Sequence, residues 1–382
     1  MALKYLYVPS GYKAGKTYGV LPNEAVADLA FVRGSSATRI NANGLVETMA
    51  TNVPRLDYTD VSCPTLLTEP ESTNLVEYSE DFSQWLTTVS GTGVSPVIST
   101  GFSAPDGSSN ARKIVFDKGA GNTSSDICFI TDSYTSEADT YTQTVWMRTE
   151  SGTANVLMDF DSANSNEVVV TTTWQRIKLT KSVTSTTNKE FRIGLRGGSS
   201  TVDSATILVW GAQLEKQQYA TSYIYNNGTA LGVTRSADTG VISGDLSSYI
   251  NSSEGVLEVK AKALFNNLTN REITLGNDTN DKSLTFRYSS VSNQIQGVFV
   301  KDSETVSVEY VVSDITELNT VKVMWDSNGI KLKVNGVERD ADTITGFSAN
   351  TLTKLKLQRS GSGRVFEGNV QYIKVYDSAT DF

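Results

Sequence analysis

The sequence predicts an all-β chain, built as an irregular N-terminal arm followed by two β-sandwiches, and three observations carry that prediction. Short runs of residues alternate apolar and polar with a period of two, and clusters of Gly, Ser, Asn and Asp separate the runs. Asn-Gly pairs at Asn328-Gly329 and Asn335-Gly336 bracket one such run, a strong local signal for β-hairpins. Of the 382 residues, 38% are hydrophobic and only 20% charged, with Ser, Thr, Asn and Gly filling much of the rest. That is the surface of an exposed, extracellular or particle-bound β protein rather than of a helical cytosolic enzyme. The repeated alternation argues against a disordered polar chain of similar composition.

Residues 1–70 read as the irregular arm, rich in Gly, Pro and Tyr over "LYVPSGYKAGKTYGVLP". Short strands are expected around Leu29 to Val32 and Ala37 to Ile40, with Asn43-Gly44 as a turn before "LVETMA". These pieces bury too little to fold alone and are expected to lie against another domain, another subunit or a partner. The segment is accordingly read as an attachment or oligomerisation region.

Residues 71–240 read as a run of strands. Tyr141, Val145 and Met147 share one face of "YTQTVWMRTE", while Thr142, Thr144, Trp146 and Arg148 share the other. Val156, Met158 and Phe160 fall in phase, as do Ile177 and Leu179, then Phe191, Ile193 and Leu195, then Ile207 and Val209. Many short strands with polar connections imply a sandwich of jelly-roll type. After the last strand comes "GAQLE", residues 211–215. Gly211 and Ala212 are expected to allow close backbone approach, Leu214 to seal the core, and Gln213 and Glu215 to face outward or tie down the exit segment.

Residues 241–382 read as the second sandwich. Leu257, Val259, Ala261 and Ala263 alternate with Glu258, Lys260 and Lys262, which makes an amphipathic strand with a solvated charged face. Leu284, Phe286 and Tyr288 repeat the pattern, followed by Val321, Val323 and Trp325, and by Ile330, Leu332 and Val334 alternating with Lys331 and Lys333. The alternation pauses near 235–250, which predicts a cleavable connector and a C-terminal fragment that folds from about residue 245.

Thirty-three basic against 42 acidic residues give a net charge of −9, which repels a phosphate backbone overall but leaves room for a local basic patch. The absence of histidine excludes Ser-His-Asp, Cys-His and the usual zinc arrangements. Cys63 and Cys128 are too few for a disulfide framework and are read as two unpaired thiols. No apolar run is long enough to span a bilayer, and the N-terminus lacks a signal-peptide pattern. A particle assembled in the cytoplasm and released by lysis fits that requirement.

No catalytic, cofactor-binding or metal-binding residue is assigned. Asp159, Asp161 and Glu215 are the carboxylates a polysaccharide-cleaving enzyme would use, but no pair at catalytic separation is evident. Trp85, Trp174, Trp210, Tyr372 and Tyr376 are candidate aromatic platforms for sugars, although Trp146, Trp210 and Trp325 also read as packing residues. Tyr372 and Tyr376 are out of phase with Ile373 and Val375, which predicts outward exposure or a subunit interface. Asp278, Asp281, Asp302 and Asp326 are scattered without a calcium-loop signature.

The series "FVRGSSATRINANGLVETMATNVPRLDY", "PTLLTEPESTNLVEYSEDFSQW", "GAQLEKQQYATSYI" and "TRSAD" together resembles a family of tailed-phage virion proteins, the tail, fibre or decoration appendages. The C-terminal "GVLEVKAKALF", "VKVMWDSNGIKLKVNGV" and "FEGNVQYIKVYD" resemble a concanavalin A-like, laminin-G-type sandwich. Related C-terminal domains often continue into a short helical segment after the last strand. Here the sequence ends at "VYDSATDF", which suggests a distal tip. The resemblance implies a non-enzymatic virion component, in a tail or head fibre or a capsid decoration. It also implies docking to other virion proteins through the N-terminal region, a homo-oligomer, by analogy a trimer, and attachment to host surface glycan. It implies no cofactor, no nucleic-acid partner and no membrane insertion. Architectural use without a ligand, and polysaccharide degradation, are the alternative readings.

Overall fold

The structure is a computed structural model describing residues 2–59, 62–160, 166–279, 281–302, 304–358, 365–380 and 382. Among these residues the fold is all-β, with two single-turn 3-10 helices at Ala25–Ala27 and Phe82–Gln84. Two compact units account for it. One consists of Met1–Gly44, Thr48–Glu71 and Ser236–Phe382, the other of Leu45–Glu47 and Ser72–Arg235.

The first unit is a sandwich of an eight-stranded and a five-stranded antiparallel sheet. The larger runs Val337–Asp342, Ile330–Val334, Asn319–Trp325, Gly255–Ala263, Gly368–Tyr376, Thr65–Thr68, Arg55–Asp57, and Leu3–Tyr7 also pairs with Gly368–Tyr376. The smaller runs Glu304–Val311, Gln294–Lys301, Lys282–Tyr288, Arg271–Gly276, Lys354–Lys356. The alternating residues read from the sequence line the space between them: Leu257, Val259, Leu284, Phe286, Val321, Val323, Trp325, Ile330 and Leu332 are all buried in one core. Asn335 and Gly336 take φ of 50° and 84°, the doubly positive pair that a tight hairpin turn requires.

Residues 1–70 are not a separate arm here. Leu3–Tyr7, Arg55–Asp57 and Thr65–Thr68 complete the large sheet, and Tyr5, Tyr7, Leu29, Phe31 and Leu66 sit in the same core as the C-terminal strands. The segment lacks a core of its own because its apolar residues belong to that one. The unit boundaries fall at 71/72 and 235/236, against the 70/71 and 240/241 expected from the alternation.

The sequence blocks around Arg33, Arg55, Glu69 and Asp238 meet in a buried charge network. Arg55 donates through Nη1 to Glu69 and through Nη2 to Asp238, while Arg33 Nη1 reaches the other Asp238 oxygen at 3.2 Å. Arg33 Nη2 also donates to the carbonyls of Ala50 and Val53, at 2.9 and 3.0 Å. The Glu69 amide donates to Asp238 at 2.8 Å, and the Asp238 amide donates back to the Glu69 carbonyl at 3.0 Å. Two guanidinium groups thus face two carboxylates, with further Arg33 donors turned to backbone carbonyls, an arrangement in which buried charge is tolerated.

The second unit is a jelly-roll-like sandwich of two five-stranded sheets. One runs Leu86–Ser90, Ile127–Ser136, Thr187–Arg196, Ala154–Asp159, Asn166–Val170. The other runs Val94–Phe102, Ala111–Asp117, Ser204–Glu215, Asp139–Arg148, Gln175–Val183. Tyr141, Val145, Met147, Val156, Met158, Phe191, Ile193, Ile207 and Val209 fill the core, with Ile177 and Leu179 packed against it. Cys128 is buried there, whereas Cys63 in the other unit is exposed.

The role of "GAQLE" follows from a bulge. Gly211 has φ +64°, a left-handed conformation favouring glycine, and a Cβ there would come within 2.9 Å of the Trp146 ring. The pairing register of Ser204–Glu215 with Asp139–Arg148 shifts at this point. Odd positions Ala205, Ile207 and Val209 face the core before it; even positions Ala212 and Leu214 do so after it. Gln213 and Glu215 therefore point the other way and secure the exit segment. Gln213 accepts from the Ile224 amide at 2.6 Å, and Glu215 accepts from Ser72 Oγ, the Thr221 amide and Thr221 Oγ1 at 2.6, 3.0 and 2.5 Å. Asn74 closes the clasp from the other side: its Oδ1 accepts from Leu214 N, and its Nδ2 donates to the Ile224 carbonyl at 2.7 Å.

Two carboxyls of this unit make its stability depend on pH. Burial pushes Glu80 up to about 7 despite a 2.9 Å hydrogen bond from Tyr223, and burial likewise pushes Asp132 up to about 7. In the unfolded chain both titrate near 4. Between those values the folded form holds protons that the unfolded form has released, so the stabilisation is full below the lower value and is lost as pH rises through 7. Unfolding of this unit is expected to cost about 2 kcal/mol more per group at pH 5 than at pH 8. Denaturant titrations of the full chain at both pH values check this. An unchanged pH dependence in Glu80→Gln/Asp132→Asn would contradict it.

Candidate functional site

Most of the carboxylates and tryptophans singled out in the sequence are structural. Asp159 is buried in the first sheet of the jelly roll, opposite Arg192, and Glu215 is consumed by the clasp in the other sheet. The structure does not bring them together; Asp161 lies outside the described residues. Trp85 is buried against Phe82 and Phe191 with its Nε1 donating to the Tyr78 carbonyl at 2.9 Å. Trp210 is buried too, in a cluster with Trp146 and Tyr223 on the sheet face away from the core, with the Arg176 guanidinium 4.5 Å from the Trp146 ring. Trp325 fills the first unit's core. Trp174 remains partly exposed beneath the Arg148 guanidinium at 5.3 Å.

The acidic loop residues serve as turn acceptors and ion-pair partners. Asp326 accepts from the amides of Asn328 and Gly329, Asp281 from Thr279 and Asn277, Asp278 from Lys354, and Asp302 lies 3.4 Å from Lys282. Among the described residues no group of three or more acidic, cysteine or histidine side chains is placed to hold a metal ion.

Tyr372 and Tyr376 are different. A register shift between Lys260 and Ala261 of the neighbouring strand lets Val370 face the core, and after it Ile373 and Val375 face inward while Tyr372, Lys374 and Tyr376 face outward, half-buried. Their backbone positions are about 13 Å apart along one strand, as i and i+4 positions are, and their hydroxyls converge on one carboxylate. Between them, on the adjacent strand, is Glu258. Tyr372 donates to its Oε1 at 2.8 Å and Tyr376 to its Oε2 at 3.4 Å, while Lys374 and Lys322 approach at 3.4 and 3.5 Å. Burial raises the Glu258 carboxyl, but the Tyr372 hydrogen bond and the two lysines outweigh it and hold the group below the ordinary value. Burial and the same carboxylate push Tyr372 up to about 12, so it remains a neutral donor.

The pairing register sets these side chains in rows across the outer face of the eight-stranded sheet. One row reads Lys374, Glu258, Lys322, Lys333, a second Tyr372, Lys260, Thr320, a third Tyr376, Val256, Met324, Lys331. A cavity of about 250 Å³ lies at the end of the third row, lined by Met324, Lys331, Ala341 and Thr343 and also by Asp326 and Asp342. Two anchored phenol rings, a fixed carboxylate, ammonium groups and a recess thus share one face. Such a face offers ring stacking together with fixed donors and acceptors. Phase alone pointed to the tyrosines; Glu258 was legible only as a solvated strand position.

No family model matches the chain, and no curated protein matches it. Among solved structures it is similar to domains LG4-5 of the mouse laminin alpha1 chain, at 11% identity and a TM-score of 0.29, over 76% of this chain and 93% of that one. It is also similar to the N-terminal CBM22-1-CBM22-2 tandem of Paenibacillus barcinonensis Xyn10C, at 9% identity and a TM-score of 0.27, over 81% and 99%. A third similarity is to the CBM40 of Ruminococcus gnavus IT-sialidase, at 17% identity and a TM-score of 0.28, over 36% and 86%.

Proposed function

We propose that this chain is a non-enzymatic structural component of a phage virion, a fibre or decoration appendage that attaches to host surface glycan. The resemblance of its sequence blocks to virion appendages supports the setting, and the outward Tyr372 and Tyr376 joined through Glu258 carry the recognition reading. Packing residues are buried and paired; these two rings are held half-exposed by a carboxylate that their own hydroxyls bind. A single such face binds weakly, and several copies on one particle raise the effective concentration enough for attachment.

The test is a glycan panel probed with the purified full chain. Tyr372→Ala/Tyr376→Ala is expected to weaken binding at least tenfold, about 1.4 kcal/mol, the scale of one or two aromatic contacts, without a change in melting temperature. No reducing ends should appear on long incubation. Binding that is indifferent to both tyrosines would move the site elsewhere, and absence of binding across the panel would favour an architectural role. Sustained product release would overturn the non-enzymatic reading.

A further inference from the structure

The same sheet face carries a charge opposite to that of the chain. The outward positions of its four strands from Ile330–Val334 to Gly368–Tyr376 hold Lys260, Lys262, Lys322, Lys331, Lys333 and Lys374, against Glu258 as the one carboxylate there. The protein as a whole has a net charge of −9. Glu258 neutralises part of Lys322 and Lys374, and Lys331 lies 3.8 Å from Glu338 of the edge strand. Lys333 stands 4.8 Å from the Phe382 ring, and Lys260 and Lys262 have no carboxylate partner among the described residues. Lys322 and Lys333 are direct cross-strand partners, an arrangement of like charges that destabilises a sheet in isolation.

We infer that the glycan bound at this face is an anionic polysaccharide, its acidic groups bridging the lysine rows while its rings rest on Tyr372 and Tyr376. This inference rests on the glycan-binding reading above and specifies its ligand class. Lys322 has Glu258 beside it and Lys333 has Glu338 as its other cross-strand neighbour, so the uncompensated charge is that of Lys260 and Lys262; carboxylate or phosphate substituents on successive sugars would compensate it and neutral sugars would not. Neighbouring strands lie about 4.8 Å apart, so acidic groups spaced along a polymer can meet lysines on adjacent strands. A nucleic acid fits less well. Its bases are stacked inside the duplex, so it would present phosphates to the lysines but no ring face to Tyr372 and Tyr376.

The experiment measures binding of the full chain to polygalacturonate, dextran and duplex DNA at 50 and 300 mM salt. Polygalacturonate is expected to bind at least tenfold more tightly than dextran at the lower salt and to lose that advantage at the higher, because exposed charge pairs are screened. Lys260→Glu/Lys333→Glu should remove at least tenfold of polygalacturonate binding at an unchanged melting temperature. If that variant is destabilised, Lys260→Gln/Lys333→Gln should show a smaller loss in the same direction. Equal, salt-insensitive binding of dextran and polygalacturonate overturns the anionic specificity and leaves glycan attachment standing. Tighter binding of DNA than of either polysaccharide overturns it in favour of a nucleic-acid surface. Binding of neither polysaccharide overturns the anionic specificity, and the glycan panel then decides attachment itself.

Discussion

Arg55→Met is expected to destabilise the first unit by about 3–5 kcal/mol, the cost of leaving buried carboxylates without their cation. Arg55 is inaccessible to solvent and bridges Glu69 and Asp238, both almost wholly buried. Burial lowers the proton affinity of its guanidinium, but the two carboxylates outweigh this and raise it well above its usual value. Methionine has similar bulk and none of that charge. Arg33 would still hold one Asp238 oxygen. Arg55→Lys should rescue little, since one ammonium cannot reproduce a planar fork reaching two acids and the Thr38 carbonyl. A loss of this size is a large fraction of ordinary domain stability, about 5–15 kcal/mol. Denaturant unfolding followed by Trp325 fluorescence would measure it, with the jelly-roll transition as an internal control. A loss below 1 kcal/mol would mean that water reaches the network.

The strands were legible because burial on one sheet face writes a period of two into the sequence. Every apolar series from Tyr141 to Val334 falls in a core on the face its phase assigns. The outward phase of Tyr372 and Tyr376 was legible for the same reason. Two classes of feature were not. At Gly211 one extra residue reverses which positions face inward, and the glycine marks the place only once its positive φ is known. The charge network joins Arg33 and Arg55 to Asp238, 205 and 183 residues away, and no local pattern encodes such a distance. The blocks that resemble virion appendages supply Arg33, Arg55, Glu69 and Asp238 to one unit and Asn74, Gln213 and Glu215 to the other. What is distinctive in those blocks is how each unit is closed, and the candidate binding face lies apart from them. The site was half legible: its rings from phase, its carboxylate and its lysine rows only from register.

A fragment beginning near residue 245 is expected not to fold, although the pause in alternation predicts a stable C-terminal piece. Such a fragment loses Leu3–Tyr7 and Thr65–Thr68, both hydrogen-bonded to Gly368–Tyr376, and leaves that strand an open edge paired only to Gly255–Ala263. It also loses Tyr5, Tyr7, Leu29, Phe31, Leu66 and Val241 from the core. At roughly 1.5–3 kcal/mol for each large apolar side chain, that deficit alone reaches the stability of a typical domain. The correct excision follows from the chain path. Ser72 and Arg235 are cross-strand partners, and the Asp238 amide donates to the Glu69 carbonyl while the Glu69 amide donates to the Asp238 carboxylate, so the chain leaves the first unit and returns to it at adjacent points. The jelly roll is therefore an insertion, and joining residue 71 to residue 236 through a short Gly-Ser linker should yield a monodisperse protein with one cooperative melt. Residues 245–382 alone should precipitate or show no cooperative transition by calorimetry. A well-folded 245–382 fragment from limited proteolysis would establish that the N-terminal strands are dispensable, and would return residues 1–70 to the status of a separate arm.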